Sequence, residues 1–297
     1  MSRETLRTPP VDGFRLAVDV HGEASKERTV VLLHGWPGDR TDYRSVVPLL
    51  EGRARLVVPD LRGFGDSDRH AVAPVEGYSA QAQVRSVLGL LDHLGVPSAW
   101  FVGYDIGSRL VQHLLSTAPG RVLGAVLTPP LPGAAERMLA PAVQREFWYQ
   151  TLHRLPLSDD LLDGHPDAVR AYLGHIWQHW SGEGFDLPGA DLDRLVDRYG
   201  RPGAFSASVG WYRSRVGSAA GAGAETGPAP EDRVQVPVEV VWPGQDPLFP
   251  AEWSDRLGEW YSDVALTHVP ASGHFVPLEA PDAVADAVLR LWERAGS

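Results

Sequence analysis

Three side chains suited to nucleophilic catalysis each follow a strand-like run of this 297-residue sequence, in the order Asp105, Asp246 and His274. Asp105 is the central residue of Gly103-Tyr104-Asp105-Ile106-Gly107, between an apolar run and an amphipathic stretch. The two glycines permit a sharp strand–turn–helix turn with Asp at its apex, where the G-x-S-x-G nucleophile motif has Ser. A helix N-terminus behind the turn favours a negative charge there, so we predict Asp105 as the nucleophile. An ordinary helix N-cap is the alternative interpretation of this residue.

Asp246 and His274 have the spacing of an acid and a base that serve such a nucleophile. Asp246 follows the strand-like run 238–242, and His274 follows the next predicted strand, 265–269. We predict His274 as the general base, and Asp246 as the residue that orients its ring and stabilises its cation. The chain order of nucleophile, acid and histidine is that of the α/β-hydrolase fold.

A glycine-rich turn, His34-Gly35-Trp36-Pro37-Gly38, follows the apolar run 29–33. Such a turn holds backbone N–H groups at the edge of a site, and we predict the N–H groups of Trp36 and Ile106 as an oxyanion hole. A tight turn with no part in catalysis is the alternative. We expect His34 to bond backbone groups of the turn and not to act as a base, because either ring nitrogen can make such bonds.

Apolar runs alternate with amphipathic stretches around these residues. The predicted strands are 15–20, 29–33, 55–58, 99–103, 122–127, 238–242 and 265–269. The predicted helices are 43–50, 80–94, 106–116, 142–155, 166–180, 251–260 and 283–294. Continuous Val- and Leu-rich runs between amphipathic helices predict the α/β class, with a mostly parallel central sheet flanked by helices. The carboxyl ends of parallel strands meet at one edge of a sheet, so we expect the three catalytic candidates to meet there.

The pattern changes between the two halves of this α/β region. Residues 134–216 show helical periodicity and no convincing strand, and the small residues of 217–224 are typical of a loop. We therefore predict an α/β core made of residues 1–133 and 217–297. An all-helical insertion, residues 134–216, separates the two parts of that core.

The composition argues against several classes of function. The formal net charge is −11, from 27 basic and 38 acidic residues, so we expect no nucleic-acid partner. The chain has no Cys, and Lys26 is its single lysine, so thiol, Schiff-base, pyridoxal phosphate and P-loop chemistry are not expected. His175 and His179 have i, i+4 spacing but lack the other residues of a zinc motif. We therefore expect no metal and no cofactor.

The hydropathy pattern predicts a protein that works outside the membrane. No apolar run approaches the ~20 residues that cross a bilayer. The first residues, Met1 to Thr5, carry no apolar segment typical of a secretory signal. We expect a cytoplasmic monomer or homodimer.

The sequence resembles the epoxide hydrolases of the α/β-hydrolase fold over essentially the whole chain. The residues that carry the resemblance are 34–38, 60–67, 103–107, 211–213, Asp246 and 273–274. Haloalkane and haloacid dehalogenases share these fold motifs. The resemblance implies that the helical insertion is a cap and that the substrates are a small-molecule epoxide and water. It also implies that Asp105 forms a covalent ester, which is hydrolysed to release a vicinal diol.

The resemblance further implies two cap tyrosines that hold the epoxide oxygen. Tyr212, in Trp211-Tyr212-Arg213, matches the tyrosine that donates a proton. Its partner lies in Phe147-Trp148-Tyr149-Gln150, where Tyr149 matches the family pattern and Trp148 is the alternative. The choice has a chemical consequence, because a tyrosine can release its proton and an indole N–H in practice cannot. The further substrate-binding candidates are Phe147, Trp211 and Arg109.

A dehalogenase of the same fold, acting on haloalkanes or haloacids, is the alternative function. Haloalkane enzymes of this fold use an indole N–H directly after the nucleophile, where this chain has Ile106. Haloacid enzymes use two arginines close behind the nucleophile, where this chain keeps only Arg109. These differences favour epoxide hydrolysis. A non-catalytic ligand-binding protein is the third hypothesis, although a nucleophile, an acid and a histidine are all present.

Overall fold

An eight-stranded sheet forms the centre of the structure. The computed structural model describes residues 3–23, 28–134, 137–214 and 226–296. The strands of the sheet are β1 Arg3–Arg7, β2 Ala17–His21, β3 Thr29–Leu33, β4 Arg55–Pro59, β5 Ala99–Gly103, β6 Val122–Leu127, β7 Val238–Pro243 and β8 Val264–Val269. Their spatial order is β1-β2-β4-β3-β5-β6-β7-β8. The pairs β1–β2 and β2–β4 are antiparallel and every other pair is parallel, so the predicted mostly parallel sheet is confirmed.

The central strands are apolar because both of their faces are covered. Every residue of β3, β5 and β7 is buried, in agreement with their continuous apolar sequences. The edge strand β8 is only partly buried. The sequence does not predict β1, because its five residues, RETLR, are mostly polar and exposed. Pairing with β2 defines this strand, and a hydrophobic pattern cannot report such pairing.

Helices cover the sheet and its carboxyl edge. The α-helices are α1 Val47–Leu50, α2 Pro74–Gly77, α3 Ala80–His93, α4 Ile106–Thr117, α5 Pro141–Gln144, α6 Trp148–Arg154, α7 Leu157–Leu162, α8 Pro166–Trp180, α9 Gly189–Tyr199, α10 Ala204–Ser208, α11 Gly210–Arg213, α12 Val276–Glu279 and α13 Pro281–Ala295. The 3-10 helices are Arg40–Tyr43, Pro119–Arg121, Arg137–Leu139, Arg145–Phe147, Pro230–Asp232 and Ala251–Glu259. None of the helices in the described ranges combines the length and apolar character that crossing a bilayer requires.

Three predicted helices have another form in the structure. The stretch 43–50 is α-helical only over α1, because Pro48 in its first turn lacks the N–H that would continue a helix from before it. The stretch 142–155 is divided into α5, a 3-10 turn and α6. The stretch 251–260 is a 3-10 helix over Ala251–Glu259. Nothing in the structure explains the last two differences.

Residues 137–214, here named the helical segment, contain α5 to α11 and no strand. The segment contacts the loops that follow β3 and β8. The Tyr199 hydroxyl in α9 donates to the carbonyl of Gly38 at 2.7 Å, and the N–H of His274 donates to the carbonyl of Trp180 at 2.8 Å. The segment therefore lies against the carboxyl edge of the sheet. The predicted loop at 217–224, and with it the boundary between residues 216 and 217, lies outside the described residues.

Candidate active site

Asp105 occupies a strained turn between β5 and α4. Its backbone has φ 51° and ψ −120°, which side-chain-bearing residues rarely adopt. A Cβ on Gly103 would lie 2.5 Å from the carbonyl carbon of Gly107, and one on Gly107 would lie 1.9 Å from the carbonyl oxygen of Leu33. Only glycine fits at both positions. Asp105 stands at the N-cap position of α4, but its side chain makes no capping hydrogen bond to the helix, unlike that of an ordinary N-cap residue.

The turn after β3 holds a backbone donor against this carboxylate. The N–H of Trp36 donates to Oδ1 of Asp105 at 2.8 Å. The approach is close, since a Cβ on Gly35 would lie 2.6 Å from the Cβ of Asp105. Ile106 begins α4 directly after Asp105, so its N–H belongs to the helix N-terminus at the same turn. Of the two backbone groups predicted as an oxyanion hole, the N–H of Trp36 thus binds the Asp105 side chain, and that of Ile106 belongs to the residue directly after Asp105.

His274 links the two carboxylates of the predicted triad. Its Nδ1 lies 2.9 Å from Oδ2 of Asp246, and its Nε2 lies 3.5 Å from Oδ2 of Asp105. Asp246 is fixed in turn, because its Oδ1 accepts from the N–H of Leu248 at 2.8 Å. Nε2 of His274 is buried and makes no hydrogen bond to the described part of the chain. The ring therefore presents a free nitrogen towards Asp105.

The electrostatics of this cluster favour a charged histidine in the resting site. Burial lowers the pKa of His274, but the carboxylates of Asp246 and Asp105 outweigh burial and raise the pKa to about 10. At neutral pH the imidazole of His274 is therefore positively charged and lies between the carboxylates of Asp246 and Asp105. His34, in contrast, has its pKa lowered to about 4 by burial. Its Nε2 accepts from the N–H of Leu61 at 3.0 Å, in agreement with the predicted structural part.

Two tyrosines of the helical segment lie beside Asp105. Tyr149 in α6 and Tyr212 in α11 are 2% and 3% exposed, and their ring centroids are 5.8 Å apart at 89°. The ring of Trp36, the residue whose backbone N–H binds Asp105, lies 6.0 Å from each tyrosine ring. Burial raises the pKa of both hydroxyls well above the usual value, and the negative charge of Asp105 adds to the shift. Both side chains are therefore neutral hydrogen-bond donors.

Trp148 does not reach this site. Its side chain is 39% exposed, and its ring contacts Tyr172 and His175 on the outer side of the helical segment. Successive residues of an α-helix point about 100° apart, so Tyr149 faces the site while Trp148 faces away. Of the two residues predicted to partner Tyr212, the structure brings only Tyr149 to it.

The three remaining candidates have different positions. Phe147 is buried, with its ring 6.4 Å from that of Tyr149 and 5.7 Å from that of Phe249. Trp211 is buried in α11 immediately before Tyr212. Arg109 is half-buried on α4, where its Nη1 donates to Oε1 of Gln112 at 3.1 Å. The Arg109 side chain therefore bonds to a neighbour on its own helix, and none of its described contacts is to the Asp105 side chain.

Two further residues line the site, and the sequence does not single out the first of them, His153. His153 is fully buried, with its ring 4.7 Å from that of Tyr212 and 4.5 Å from that of Trp36. Burial lowers its pKa well below the usual value, so it is neutral. The Trp180 ring lies 4.8 Å from that of Tyr149 and 5.2 Å from that of His274. The sequence could have indicated His153 through its i, i+4 spacing from Tyr149, because residues four apart lie on the same face of a helix such as α6.

Comparison with known proteins identifies the family of the chain. Residues 28–281 match the model of the alpha/beta hydrolase fold family. The chain is 24% identical over 300 residues to a soluble epoxide hydrolase from a Corynebacterium species, covering 95% of both chains. It is 26% identical over 324 residues to epoxide hydrolase A from Mycobacterium tuberculosis, covering 97% of both. A solved structure, described as a novel epoxide hydrolase of the alpha/beta hydrolase superfamily from hot-environment metagenomes, superposes with TM-score 0.78 and 25% identity, covering 98% of this chain and 99% of that one.

Proposed function

The chain belongs to the alpha/beta hydrolase fold family, and we propose that it is an epoxide hydrolase, which opens an epoxide to a vicinal diol through a covalent ester on Asp105. One observation carries this proposal: the neutral hydroxyls of Tyr149 and Tyr212 lie beside the carboxylate of Asp105 in a buried site. An alkoxide leaving group takes up a proton as it forms, and a neutral phenol supplies one. The two epoxide hydrolases to which the chain is similar support the same reaction class.

The first step forms the ester. A carboxylate oxygen of Asp105 attacks one epoxide carbon, and the electron pair of the broken C–O bond passes to the epoxide oxygen. Tyr212 gives its proton to that oxygen while Tyr149 donates a hydrogen bond. Burial among aromatic rings excludes water, which strengthens the interactions of both hydroxyls with the developing charge.

The second step hydrolyses the ester and depends on a change of charge at His274. Ester formation neutralises Asp105, which removes one of the two carboxylates that raise the pKa of His274. The imidazolium then releases its proton, which balances the tyrosinate left on Tyr212. Neutral His274, oriented by Asp246, takes a proton from the water that attacks the ester carbonyl carbon. The N–H groups of Trp36 and Ile106 stabilise the resulting oxyanion, which collapses to the diol and the Asp105 carboxylate.

Intact-mass measurement with a reactive epoxide tests this proposal. We expect His274→Gln to accumulate an adduct of substrate mass, because removal of a general base slows ester hydrolysis by about a hundredfold or more. Asp105→Ala should form no adduct. His175→Gln, at an exposed position of α8, is the matched control and should turn over without a persistent adduct. Formation of the adduct by Asp105→Ala would show that Asp105 is not the nucleophile.

A dehalogenase is the second candidate, favoured by one specific observation. The indole Nε1 atoms of Trp36 and Trp180 are buried at the site and have no hydrogen-bond partner among the described residues. Such donors suit a departing halide, which needs hydrogen bonds but no proton. Halide release from haloalkanes and haloacetates that is faster than diol formation from epoxides, with Tyr212→Phe nearly unchanged, would favour this candidate. We expect the reverse.

We also propose a role for each of the two regions of the chain. The helical insertion, residues 134–216, acts as a cap and supplies the two tyrosines. The α/β core, residues 1–133 and 217–297, supplies Asp105, Asp246 and His274. A small-molecule epoxide and water are the only reactants, and no cofactor takes part. A pure ligand-binding protein would show no turnover of any epoxide, whereas we expect turnover that Asp105→Ala abolishes.

A further inference from the structure

We infer that Glu279 is a positioning residue for His274. Glu279 fixes the loop that carries His274 to the helical segment, and it serves ester hydrolysis more than ester formation. This inference rests on the proposed function for its kinetic part. The observation behind it is one carboxylate that binds three backbone N–H groups around the catalytic histidine. Oε2 of Glu279 accepts from Gly273 at 2.6 Å and from Gly182 at 2.8 Å, and Oε1 accepts from Phe275 at 2.9 Å.

Two of these donors belong to the residues on either side of His274. The N–H groups of Gly273 and Phe275 both point to the same carboxylate, which lies at the end of the short helix α12. The backbone of the histidine is therefore held from both sides by one side chain. An amide in place of the carboxylate has a single acceptor oxygen, so it cannot accept all three bonds with comparable geometry.

The third donor ties this loop to the helical segment. Gly182 follows α8, and its N–H binds the same oxygen as the N–H of Gly273. The two backbones approach so closely that a Cβ on Gly273 would lie 2.3 Å from the nitrogen of Gly182. The N–H of His274 completes the junction by donating to the carbonyl of Trp180. Glu279 thus fixes the position of His274 relative to the part of the chain that carries the tyrosines.

Charge gives Glu279 a second influence on the histidine. Burial has the largest effect and raises the pKa of Glu279 above its ordinary value, although the three backbone N–H groups and the positive charge of His274 act to lower it. This coupling is reciprocal, so a negative Glu279 raises the pKa of His274. The charged groups that act on the imidazole are therefore Asp246, Asp105 and Glu279. Removal of the Glu279 charge should lower the pKa of His274.

Single-turnover kinetics of Glu279→Gln test the inference, with Glu239→Gln as the matched control. Glu239 is a buried carboxylate that forms ion pairs with Arg290 and Arg294, and it lies on β7 away from the histidine loop. We expect Glu279→Gln to slow ester hydrolysis by about tenfold, as small displacements of catalytic groups do, and to leave ester formation within about twofold of the wild type. Glu279→Asp should also slow hydrolysis, since its shorter side chain cannot reach all three donors.

Titration of the His274 ring by NMR provides a readout that does not need turnover. The pKa of His274 should fall in Glu279→Gln and stay unchanged in Glu239→Gln. If the wild type forms no ester with any epoxide, the proposed function fails while this titration still decides the part of Glu279. An unchanged pKa of His274, or equal slowing of both chemical steps in Glu279→Gln and Glu239→Gln, would overturn the inference. If Glu279→Gln does not fold, Glu279→Asp is measured in its place, with selective slowing of hydrolysis as the expected result.

Discussion

At the scale of single residues, the site depends on which aromatic side chain stands opposite Tyr212. Tyr149 is buried beside Asp105, and its neighbour Trp148 is largely outside the site. A phenol at this position can share the proton chemistry of epoxide opening, and an indole can only donate a hydrogen bond. The identity of this one residue therefore bears directly on which leaving group the site can serve.

Substitution of the three aromatic residues separates their parts. We expect Tyr212→Phe and Tyr149→Phe each to slow epoxide opening by about a hundredfold or more, because each removes a donor to the developing alkoxide. Trp148→Phe, the control in the same helix, should stay within about threefold of the wild type. Rapid-quench measurement of ester formation checks this. A large loss in Trp148→Phe with little change in Tyr149→Phe would reverse the assignment.

The charge on His274 predicts a dependence of stability on pH. Its pKa is raised in the folded state to about 10 from an ordinary value of 6.5, so the folded chain binds this proton more tightly than the unfolded chain. The resulting stabilisation is fully present below pH 6.5 and is lost as the pH rises through about 10. Denaturant unfolding of the wild type and His274→Gln across that range measures it. The difference in unfolding free energy should shrink by a few kcal/mol as the pH rises, and a constant difference would contradict the ion cluster.

At the scale of elements, the turn between β5 and α4 positions Asp105, the proposed nucleophile. Gly107 lies in the first turn of α4, where a Cβ would lie 1.9 Å from a backbone oxygen of β3. Neither backbone can yield without moving the turn. The glycine is therefore required for close packing of helix on strand, in spite of its poor helix propensity.

Alanine substitution at two helical glycines tests this requirement. We expect Gly107→Ala to destabilise the protein by about 3 kcal/mol or more and to abolish activity, because the overlap involves backbone on both sides. Gly174→Ala, in the interior of α8, meets only a side-chain atom at 3.8 Å and should stabilise by up to about 1 kcal/mol. Unfolding free energies of both variants measure the contrast. Equal effects would show that the turn tolerates a side chain.

The element scale also shows what sequence can predict. The strands with continuous apolar runs, such as β3 and β5, are predicted to the residue, because burial on both faces leaves a direct signal in composition. Asp105, Asp246 and His274 are predicted because each follows a predicted strand. Tyr149 and Trp148 could not be separated, because helix rotation against the sheet is set by packing between distant elements. Glu279 leaves no signal, since its three partners are backbone groups.

At the scale of the whole molecule, the site exists only where two distant parts of the chain meet. Asp105, Asp246 and His274 follow strands of the sheet, and Tyr149 and Tyr212 come from the helical segment. Asp105, the proposed nucleophile, is only 6% exposed, so the proposed reaction would take place in a site from which water is largely excluded. The net charge of −11 gives no long-range attraction to an anionic haloacid, and a neutral epoxide needs none.

The covalent ester on Asp105 is the central claim, and isotope labelling in a single turnover tests it most directly. With enzyme in excess over epoxide in heavy-oxygen water, the oxygen added to the first diol should come from the carboxylate of Asp105. That diol should therefore carry no label, and one solvent oxygen should remain in Asp105, where peptide mass spectrometry can locate it. Heavy oxygen in the diol of the first turnover, with none in Asp105, would mean that water attacks the epoxide directly and would contradict the account.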